Sequence, residues 1–324
     1  MKAIIPAAGI GSRLKPHTHT APKALLHVAG KPILGHIIDE LLAYDIRDII
    51  FVIGFLGEMI EDYVNTHYNI RATFIEQKEL KGLGWAIYLT RPYLGDQPVL
   101  IILGDTIFDF NLDRMINSEY DSLGTKVVED PRRFGIAETD GRFITGLAEK
   151  PENPSSNQAL VGIYYIKSTV LFGECLDELI RRDITTRGEY QLTDALRLMI
   201  ERGCRMTTFA IDGWFDCGQK NSLLETNRYL LSQIKTIGEY KDAIVIPPVY
   251  ISPSARVINS VIGPYVSVAD GAVIENSIIR DSIISTGADV RQCLLESSLV
   301  GNNSSVIGNY NKLNLGDSSE IGYY

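Results

Sequence analysis

Residues 1–34 read MKAIIPAAGIGSRLKPHTHTAPKALLHVAGKPIL. A short apolar run, KAIIPAA, ends in Gly9-x-Gly11, which predicts a buried strand feeding a glycine loop. From Met1 to Ile38 there is no Asp or Glu, although the chain carries a net charge of -9. The same stretch holds Lys2, Arg13, Lys15, Lys23 and Lys31, with His17, His19, His27 and His36 between them. Glycines let backbone N–H groups approach anionic oxygens, so this loop suits a phosphate-bearing ligand. The third glycine of a dinucleotide-binding motif is missing, because Ser12 and Arg13 follow. That excludes a nicotinamide-dependent dehydrogenase, and no G-K-[ST] follows to make a nucleotide P-loop. Arg13 offers a guanidinium fork and Lys23 an ammonium, together able to hold a triphosphate. Lys2, Lys15 and Lys31, taken singly, read as solvated charges.

The segments that follow alternate between strand and helix. ILGHIIDELLAY places Ile33, Ile37, Leu41 and Leu42 on one helical face; DIIFVIG, IRATFIE and PVLIILGDT read as strands. GEMIEDYVNTHY and GWAIYLTRPYL read as helices between them. PVLIILGDT is nearly continuously apolar, as a parallel strand buried on both faces is. This rhythm predicts an α/β fold, a Rossmann-like, mostly parallel sheet with helices on both faces. Between residues 125 and 167 short strands and turns such as TDGR predict an antiparallel insertion or lid. Two helices (TVLFGECLDELIRR, QLTDALRLMIER), a strand (MTTFAI) and a helix (SLLETNRYLLSQI) follow.

After residue 241 the grammar changes. Ile262, Val268 and Ile274 stand six apart, as do Ile284 and Val290, and Val300 and Val306. Hexads of short apolar steps separated by Gly, Asn, Asp and Ser predict a parallel β-helix. The spacing slips in ENSIIRDSII, which predicts irregular corners; the alternative is a sandwich of short strands. The domains expected are residues 1–240, which hold the chemistry, and residues 244–324, the β-helix.

Composition narrows the function classes. An acidic chain with one local basic patch is unsuited to a nucleic-acid backbone, and a small anion fits it better. Cys175, Cys204, Cys217 and Cys293 lie far apart with no C-x-x-C pair, which predicts neither a zinc site nor a disulfide framework and points to a reducing, cytoplasmic setting. No run approaches the length of a membrane span, and the first strand lacks the pattern of a signal peptide.

PAAGIGSRLKPHTHTAPKALL resembles the N-terminal motif of the sugar-1-phosphate nucleotidyltransferases. LGDT, AEKP, GEYQLTDAL and GWFDCGQ follow in the order of that family, and the hexads resemble the left-handed β-helix that ends its long-chain members. The chain is most similar to the glucose-1-phosphate thymidylyltransferase and uridylyltransferase subgroup. The resemblance implies Asp105 and Asp216 as the carboxylates that hold a catalytic Mg²⁺, with Arg13 and Lys23 as catalytic cations. It implies Ala8, Gly9, Gly11, Ser12, Gln77 and Gly82 on the nucleotide, and Gly135, Glu149 and Lys150 on the sugar phosphate. Tyr164 and Glu189 are weaker sugar-side candidates, equally readable as sheet packing and as a helix N-terminal charge.

The residues agree with that assignment. Asp105 ends an apolar strand, at the edge where open parallel sheets place ligands. A buried carboxylate needs a compensating charge, which a cation supplies. A Gln amide carries both donor and acceptor and so complements a uracil or thymine edge. Leu80, Trp85 and Ala8 depart from the family pattern and leave dTTP against UTP open. The implied partners are a nucleoside triphosphate and a sugar 1-phosphate, with a homo-oligomer through the β-helix. The alternatives are a mannose-1-phosphate guanylyltransferase, and a silent regulatory paralogue that binds a nucleotide sugar. None of the five histidines lies in the hexads, so a histidine-dependent acyltransferase site is not expected there.

Overall fold

Strand β1 (Lys2–Pro6) runs through the middle of the main sheet, and its Ala3, Ile4 and Ile5 have no exposed surface. The computed structural model describes residues 1–109, 111–234, 240 and 242–308. After β1 come the hairpin β2 (His27–Val28) and β3 (Lys31–Pro32), helix α1 (Ile33–Ala43), β4 (Asp48–Ile53), α2 (Gly57–His67), β5 (Arg71–Glu76), α3 (Leu83–Tyr88) and β6 (Val99–Ile102). Helix α1 forms because Ile33, Ile37 and Leu41 recur at helical spacing and are buried, while Leu42 is half-buried. In β4, Ile49, Ile50, Phe51 and Val52 are all buried, the signature of a strand covered on both faces. Each such side chain contributes about 1.5–3 kcal/mol relative to exposure.

Strands β7 (Thr106–Asp109), β8 (Asp121–Val127), β9 (Gly135–Thr139), β10 (Ile144–Glu149) and β11 (Gln158–Ile166) follow, with the short α4 (Leu112–Ile116) after β7. Then come α5 (Thr169–Arg181), α6 (Leu192–Glu201), β12 (Met206–Ala210), β13 (Gly213–Asp216) and α7 (Lys220–Ser232). The main sheet has nine strands in the order β10-β9-β11-β6-β1-β4-β5, with β8 paired to β11 and β12. Strands β1, β4, β5 and β6 are parallel, as the alternating pattern predicts. The antiparallel stretch departs from the expected insertion or lid. Strand β11 hydrogen-bonds β6, and β9 and β10 continue beyond it, so these strands widen the same sheet and make it mixed. The TDGR turn joins β9 to β10, with Asp140 accepting from the amides of Arg142 and Phe143.

The order of the strands reverses on either side of β1, because β4 lies on one flank and β6 on the other. The carboxyl ends of β1 and β6 therefore meet at a switch point, where this architecture forms a crevice. There Gly104 donates to Pro6 O at 3.1 Å.

The chain divides into two compact units, Met1–Thr226 and Asn227–Tyr324, and the division falls within α7. The second unit carries four coils of three short strands: β14 (Ala243–Val245), β15 (Val249–Ile251) and β16 (Arg256–Ile258); β17 (Ser260–Ile262), β18 (Val266–Val268) and β19 (Val273–Glu275); β20 (Ile278–Arg280), β21 (Ile283–Ile284) and β22 (Asp289–Arg291); β23 (Leu294–Glu296), β24 (Leu299–Val300) and β25 (Ser305–Ile307). Each strand pairs in parallel with its equivalent in the next coil, giving three four-stranded sheets. Ile262, Val268, Ile274, Ile284 and Val290 point inward with no exposed surface, as the hexads predict; Val300 is buried and Val306 is partly buried against the same core.

The slip in ENSIIRDSII has a geometric cause. Corners are left-handed residues, among them Tyr265, Gly271, Asn276, Asp281 and Gly287. Asn276 follows Gly271 by five positions and Asp281 follows Asn276 by five, so those two sides are one residue short of a hexad. Asn, Asp and Gly tolerate positive φ, which explains the small polar residues between the apolar steps. The part of the expected β-helix at residues 309–324 lies outside the described residues. Among the described residues no helix is long and apolar enough to cross a membrane.

Candidate active site

Two adjoining cavities open at the switch point, of about 400 and 330 Å³. They share Leu83, Leu103, Asp105 and Glu189. Ala8, Gly9, Lys23, Gln77 and Gly82 line the first; Arg13, Gly135, Glu149, Lys150, Tyr164 and Asp216 line the second. Gly11 and Ser12 line neither.

Gly9 and Gly11 have different reasons to be glycine. At Gly9 a Cβ would have no neighbour within 4 Å, so nothing in the protein crowds the bare backbone that faces the first cavity. Gly11 has φ +66, and a Cβ there would lie 3.0 Å from Thr18 Cγ2 and 3.1 Å from Lys23 Cβ. Its left-handed turn folds the loop back on itself, and Thr18 Oγ1 donates to Gly11 O at 2.9 Å. Gly11 thus shapes the loop and packs behind Lys23.

The turn delivers Lys23, which is 8% exposed, to the floor of the first cavity. Lys23 Nζ donates to Asp105 Oδ2 at 2.6 Å and lies 3.6 Å from Asp216 Oδ1. The two carboxylates come together through a ribbon that alternating hydrophobicity did not reveal: β7 and β13 pair antiparallel, with Thr106 opposite Asp216. Cys217 N also donates to Asp105 O at 3.1 Å, and Thr106 Oγ1 donates to Asp105 Oδ1 at 3.2 Å. Arg13 is exposed and has no carboxylate partner among the described residues, so its guanidinium is open to an anion.

Of the other cations of the acid-free stretch, Lys31 pairs with Asp39 and Lys2 donates to Tyr93 O. None of the five histidines lines either cavity.

The donor set fits a hard divalent cation. Two carboxylates face the junction of the cavities, and no group of three or more His, Cys, Asp and Glu side chains among the described residues makes a self-sufficient metal cage. Mg²⁺ is commonly held by one or two carboxylates and completes its shell with substrate phosphates and water.

In the second cavity Glu149 accepts from Thr193 Oγ1 at 2.7 Å, and its other oxygen lies 3.3 Å from Lys150 Nζ. Gly135 makes room for this pair, because a Cβ there would lie 2.9 Å from Glu149 Oε2. Tyr164 is 5% exposed on β11; burial, and then the Glu149 carboxylate, hold its hydroxyl above the usual tyrosine range. It therefore stays protonated as a donor at neutral pH. Glu189 lies two residues before the N-cap of α6, exposed at the junction of the cavities.

Gln77 is buried, and its amide donates to Glu79 O at 3.1 Å. Gly82 has φ +99, and a Cβ would meet Tyr190 O at 2.5 Å, so the backbone itself requires glycine there.

Sequence reasoning passed over Arg133, Thr193 and Trp214, all of which line the second cavity. Thr193 and Trp214 fall inside the quoted segments QLTDAL and GWFDCGQ but carry no local signal apart from their neighbours. Trp214 packs edge-on against Phe134 at 5.0 Å, and its buried indole N–H has no acceptor among the described residues. A buried donor without an acceptor is costly unless a ligand completes it.

The model of the nucleotidyl transferase family matches residues 2–233, and that of the GlmU-like C-terminal hexapeptide matches residues 226–315. A glucose-1-phosphate thymidylyltransferase of Streptomyces griseus is 31% identical, with 98% of each chain covered. A low-salt glycan biosynthesis nucleotidyltransferase of Haloferax volcanii is 30% identical over 99% of each chain. Among solved structures, a glucose-1-phosphate thymidylyltransferase of Bacillus anthracis, described as putative and crystallised with sucrose, superposes with a TM-score of 0.62 at 30% identity, over 74% of this chain and 98% of that one. A UDP-glucose pyrophosphorylase in complex with UDP-glucose superposes with a TM-score of 0.63 at 25% identity, over 72% of this chain and 99% of that one.

Proposed function

The chain belongs to the nucleotidyl transferase family, and on that premise we propose that it joins dTTP or UTP to glucose 1-phosphate, releasing pyrophosphate and an NDP-glucose. The observation that carries this reading is the pair of cavities meeting at Asp105, one lined by the nucleotide candidates Ala8, Gly9, Gln77 and Gly82 and the other by the sugar-phosphate candidates. In the reaction an oxygen of the sugar phosphate forms a bond to the α-phosphorus of the nucleotide. The bond from that phosphorus to the β-phosphate bridge breaks, and its electron pair leaves with pyrophosphate.

A phosphate monoester has its second pKa near ~6, so the nucleophile is already dianionic at neutral pH and needs no general base. The absence of histidine from the cavity linings accords with this. Catalysis then rests on bringing two anions together and offsetting their charge. Gln77 and Gly82 face the base, and the bare backbone at Ala8 and Gly9 leaves room for phosphate oxygens. Ser12 and Gly11 support the same loop. Arg13 meets the leaving pyrophosphate, and Lys23 meets the α-phosphate. Lys150 binds the sugar phosphate; Glu149, held by Thr193, accepts from sugar hydroxyls, with Gly135, Tyr164 and Glu189 completing the wall. Asp105 and Asp216 would hold Mg²⁺, which when bound neutralises charge on the phosphate oxygens.

The β-helix unit joins copies of the chain into a homo-oligomer, a reading supported by exposed aliphatic side chains in register on one face (Ile244, Ile278 and Leu294). We assign the reaction to the cytoplasm, on the strength of four free cysteines. The test crosses dTTP, UTP, GTP, CTP and ATP with glucose, mannose and N-acetylglucosamine 1-phosphates and reads pyrophosphate release with Mg²⁺. Strong release with dTTP or UTP and glucose 1-phosphate is expected. Release only with GTP and mannose 1-phosphate, or silence across the panel with nucleotide still bound, refutes the reading.

A further inference from the structure

Beside the cavities, residues 186–190 touch the loops that serve both of them, and Glu189 of this segment lines both. Thr186 and Glu189 exchange two backbone hydrogen bonds, of 2.9 and 3.2 Å, around Arg187 and Gly188, which have φ 55 and φ 80. This is a two-residue turn of the kind that fixes its geometry tightly. Thr186 Oγ1 donates to the buried Asp194 carboxylate of α6 at 2.8 Å, which anchors the turn to a core helix.

On one side the turn reaches the sugar-phosphate loop, where Arg187 Nη2 donates to Lys150 O at 2.7 Å. On the other it meets the base-side loop. Tyr190 N donates to Lys81 O at 2.9 Å, and Gly84 N donates to Tyr190 O at 2.8 Å. The Tyr190 ring lies 6.1 Å from that of Trp85, over which Lys81 Nζ sits at 5.0 Å. A Cβ at Gly84 would approach Tyr190 O to 2.9 Å, so this contact is as close as backbone allows. Trp85, one of the departures from the family pattern, is thus a clasp on the turn.

Lys150 needs such support. Its φ of 44 lies in the left-handed region, which a side-chain-bearing residue rarely occupies. Pro151 follows and narrows its conformations further. Its amide donates to Phe134 O at 3.0 Å, and the hydrogen bond from Arg187 fixes its carbonyl. Arg187, Tyr190 and Trp85 line neither cavity.

We propose that Arg187 is a positioning residue that holds the Lys150 backbone in its strained conformation, braced from the base-side loop by the Tyr190–Trp85 clasp. This rests on the sugar-phosphate role given above to Lys150. The prediction is specific: changes at Arg187 and Trp85 act on a substrate that neither side chain touches.

The experiment measures steady-state KM and kcat with dTTP or UTP, glucose 1-phosphate and Mg²⁺ for the full chain. The variants are Arg187→Ala, Lys150→Ala, the two combined, Trp85→Ala and Trp85→Phe. Arg187→Ala is expected to raise the KM for glucose 1-phosphate about tenfold with the nucleotide KM within about twofold, because misplacing a binding group by about 1 Å is felt strongly. On the Lys150→Ala background the same change is expected to add nothing, the mark of two residues acting as one unit. Trp85→Ala is expected to raise the KM for glucose 1-phosphate about threefold or more, and Trp85→Phe to restore it, because a ring of similar shape keeps the clasp.

An unchanged Arg187→Ala overturns the proposal, and so does an effect that adds in full to Lys150→Ala, which would make Arg187 a phosphate ligand in its own right. A Trp85→Ala change confined to the nucleotide KM overturns the brace. If Lys150→Ala alone leaves the sugar-phosphate KM unchanged, the role of Lys150 has failed instead. Metal-free nucleotide binding by calorimetry checks the fold; if Arg187→Ala loses it, Arg187→Met, which keeps the apolar stem, runs the same cycle.

Discussion

Asp105→Asn isolates the charge of the candidate metal site from its shape. Asparagine keeps the size of the side chain and an oxygen that can accept from Thr106 Oγ1, which now bonds Asp105 at 3.2 Å. What disappears is one negative charge, 2.6 Å from Lys23 Nζ. At an effective dielectric of 20 that contact is worth about 6 kcal/mol in Coulomb terms. Most of it is offset by desolvation and by water reaching Asp105, whose side chain is 39% exposed. Pairs open to water contribute about 0–1 kcal/mol net. Lys23 also keeps Asp216, 3.6 Å away. The expected cost in stability is therefore about 1 kcal/mol, a shift of a few degrees in Tm at most for a unit of this size.

The cost in rate is far larger, because a preorganised charge aimed at a polyanionic transition state typically supplies about 10²–10³ in rate. The assay pairs pyrophosphate release under Mg²⁺ with thermal unfolding and with calorimetry of nucleotide binding in the absence of metal. A fall in kcat of at least 10² is expected, with Tm nearly unchanged. Metal-free nucleotide should bind as tightly as to the unaltered chain or more so, since one charge that repels phosphate has gone. Activity within about threefold of the unaltered chain refutes the metal role, because so small an effect is far below that of a preorganised charge. Collapse of metal-free binding refutes the claim that Asp105 is dispensable for the fold.

Four further outcomes follow from the geometry. Gly135→Ala places a Cβ 2.9 Å from Glu149 Oε2 and 3.0 Å from Thr193 Oγ1, so Glu149 must give way; the KM for glucose 1-phosphate should rise about tenfold with nucleotide binding intact, and an unchanged KM would remove that carboxylate from the sugar site. In the β-helix unit, burial pushes the Asp281 carboxyl up, but two hydrogen bonds from Arg228 at 2.5 Å and one from Ser297 outweigh it and hold the group below its usual range. A depressed folded pKa gives stability above the unfolded value and loses it as pH falls through the folded one, so Asp281→Asn, which keeps a residue tolerant of φ 44, should lower Tm at pH 7 by an amount that starts to shrink near about pH 4 and vanishes only below the depressed pKa; a pH-independent difference would refute the charge argument. Burial pushes the Cys217 thiol up to about 12, so iodoacetamide at pH 8 should leave it unmodified in the native chain and label it in denaturant, as read by peptide mass spectrometry; rapid native labelling would contradict the packing. Deleting residues 244–324 should reduce the sedimenting mass to a smaller assembly before it alters the chemistry, and an unchanged assembly would end the oligomer reading.

The extent to which the sequence could be read differs between elements for physical reasons. The parallel strands and the helices over them were legible because burial imposes a period, as in the unbroken apolar run of β4 or the spacing of Ile33, Ile37 and Leu41. The hexads were legible for the same reason, and even their slip had a meaning, since corners at Asn276 and Asp281 shorten two sides. The ribbon of β7 and β13 was not legible: four-residue strands at the rim of a cavity are only partly buried, so Phe215 and Asp216 carry no alternation that a period could detect. Nor could the spacing show that Gly11 shapes the loop, because a glycine needed for a left-handed turn and one kept bare for a ligand leave the same residue in the sequence. The turn shows in its φ of +66 and in the 3.0 Å approach to Thr18.

The acid-free opening stretch gains a second meaning from the same comparison. Its five Lys and Arg residues do not all await an anion. Lys31 and Lys2 have partners on the protein, and Lys23, the cation assigned to the α-phosphate, is shared with the carboxylates of Asp105 and Asp216. An acidic residue near Lys23 in the loop would compete for its ammonium and leave Asp105 and Asp216 repelling each other at the junction of the cavities. The lack of acids therefore protects the balance of the candidate metal pair as much as it welcomes phosphate. It leaves Arg13, the cation of the loop with no carboxylate partner among the described residues that also lines a cavity, as the group that answers directly to incoming charge.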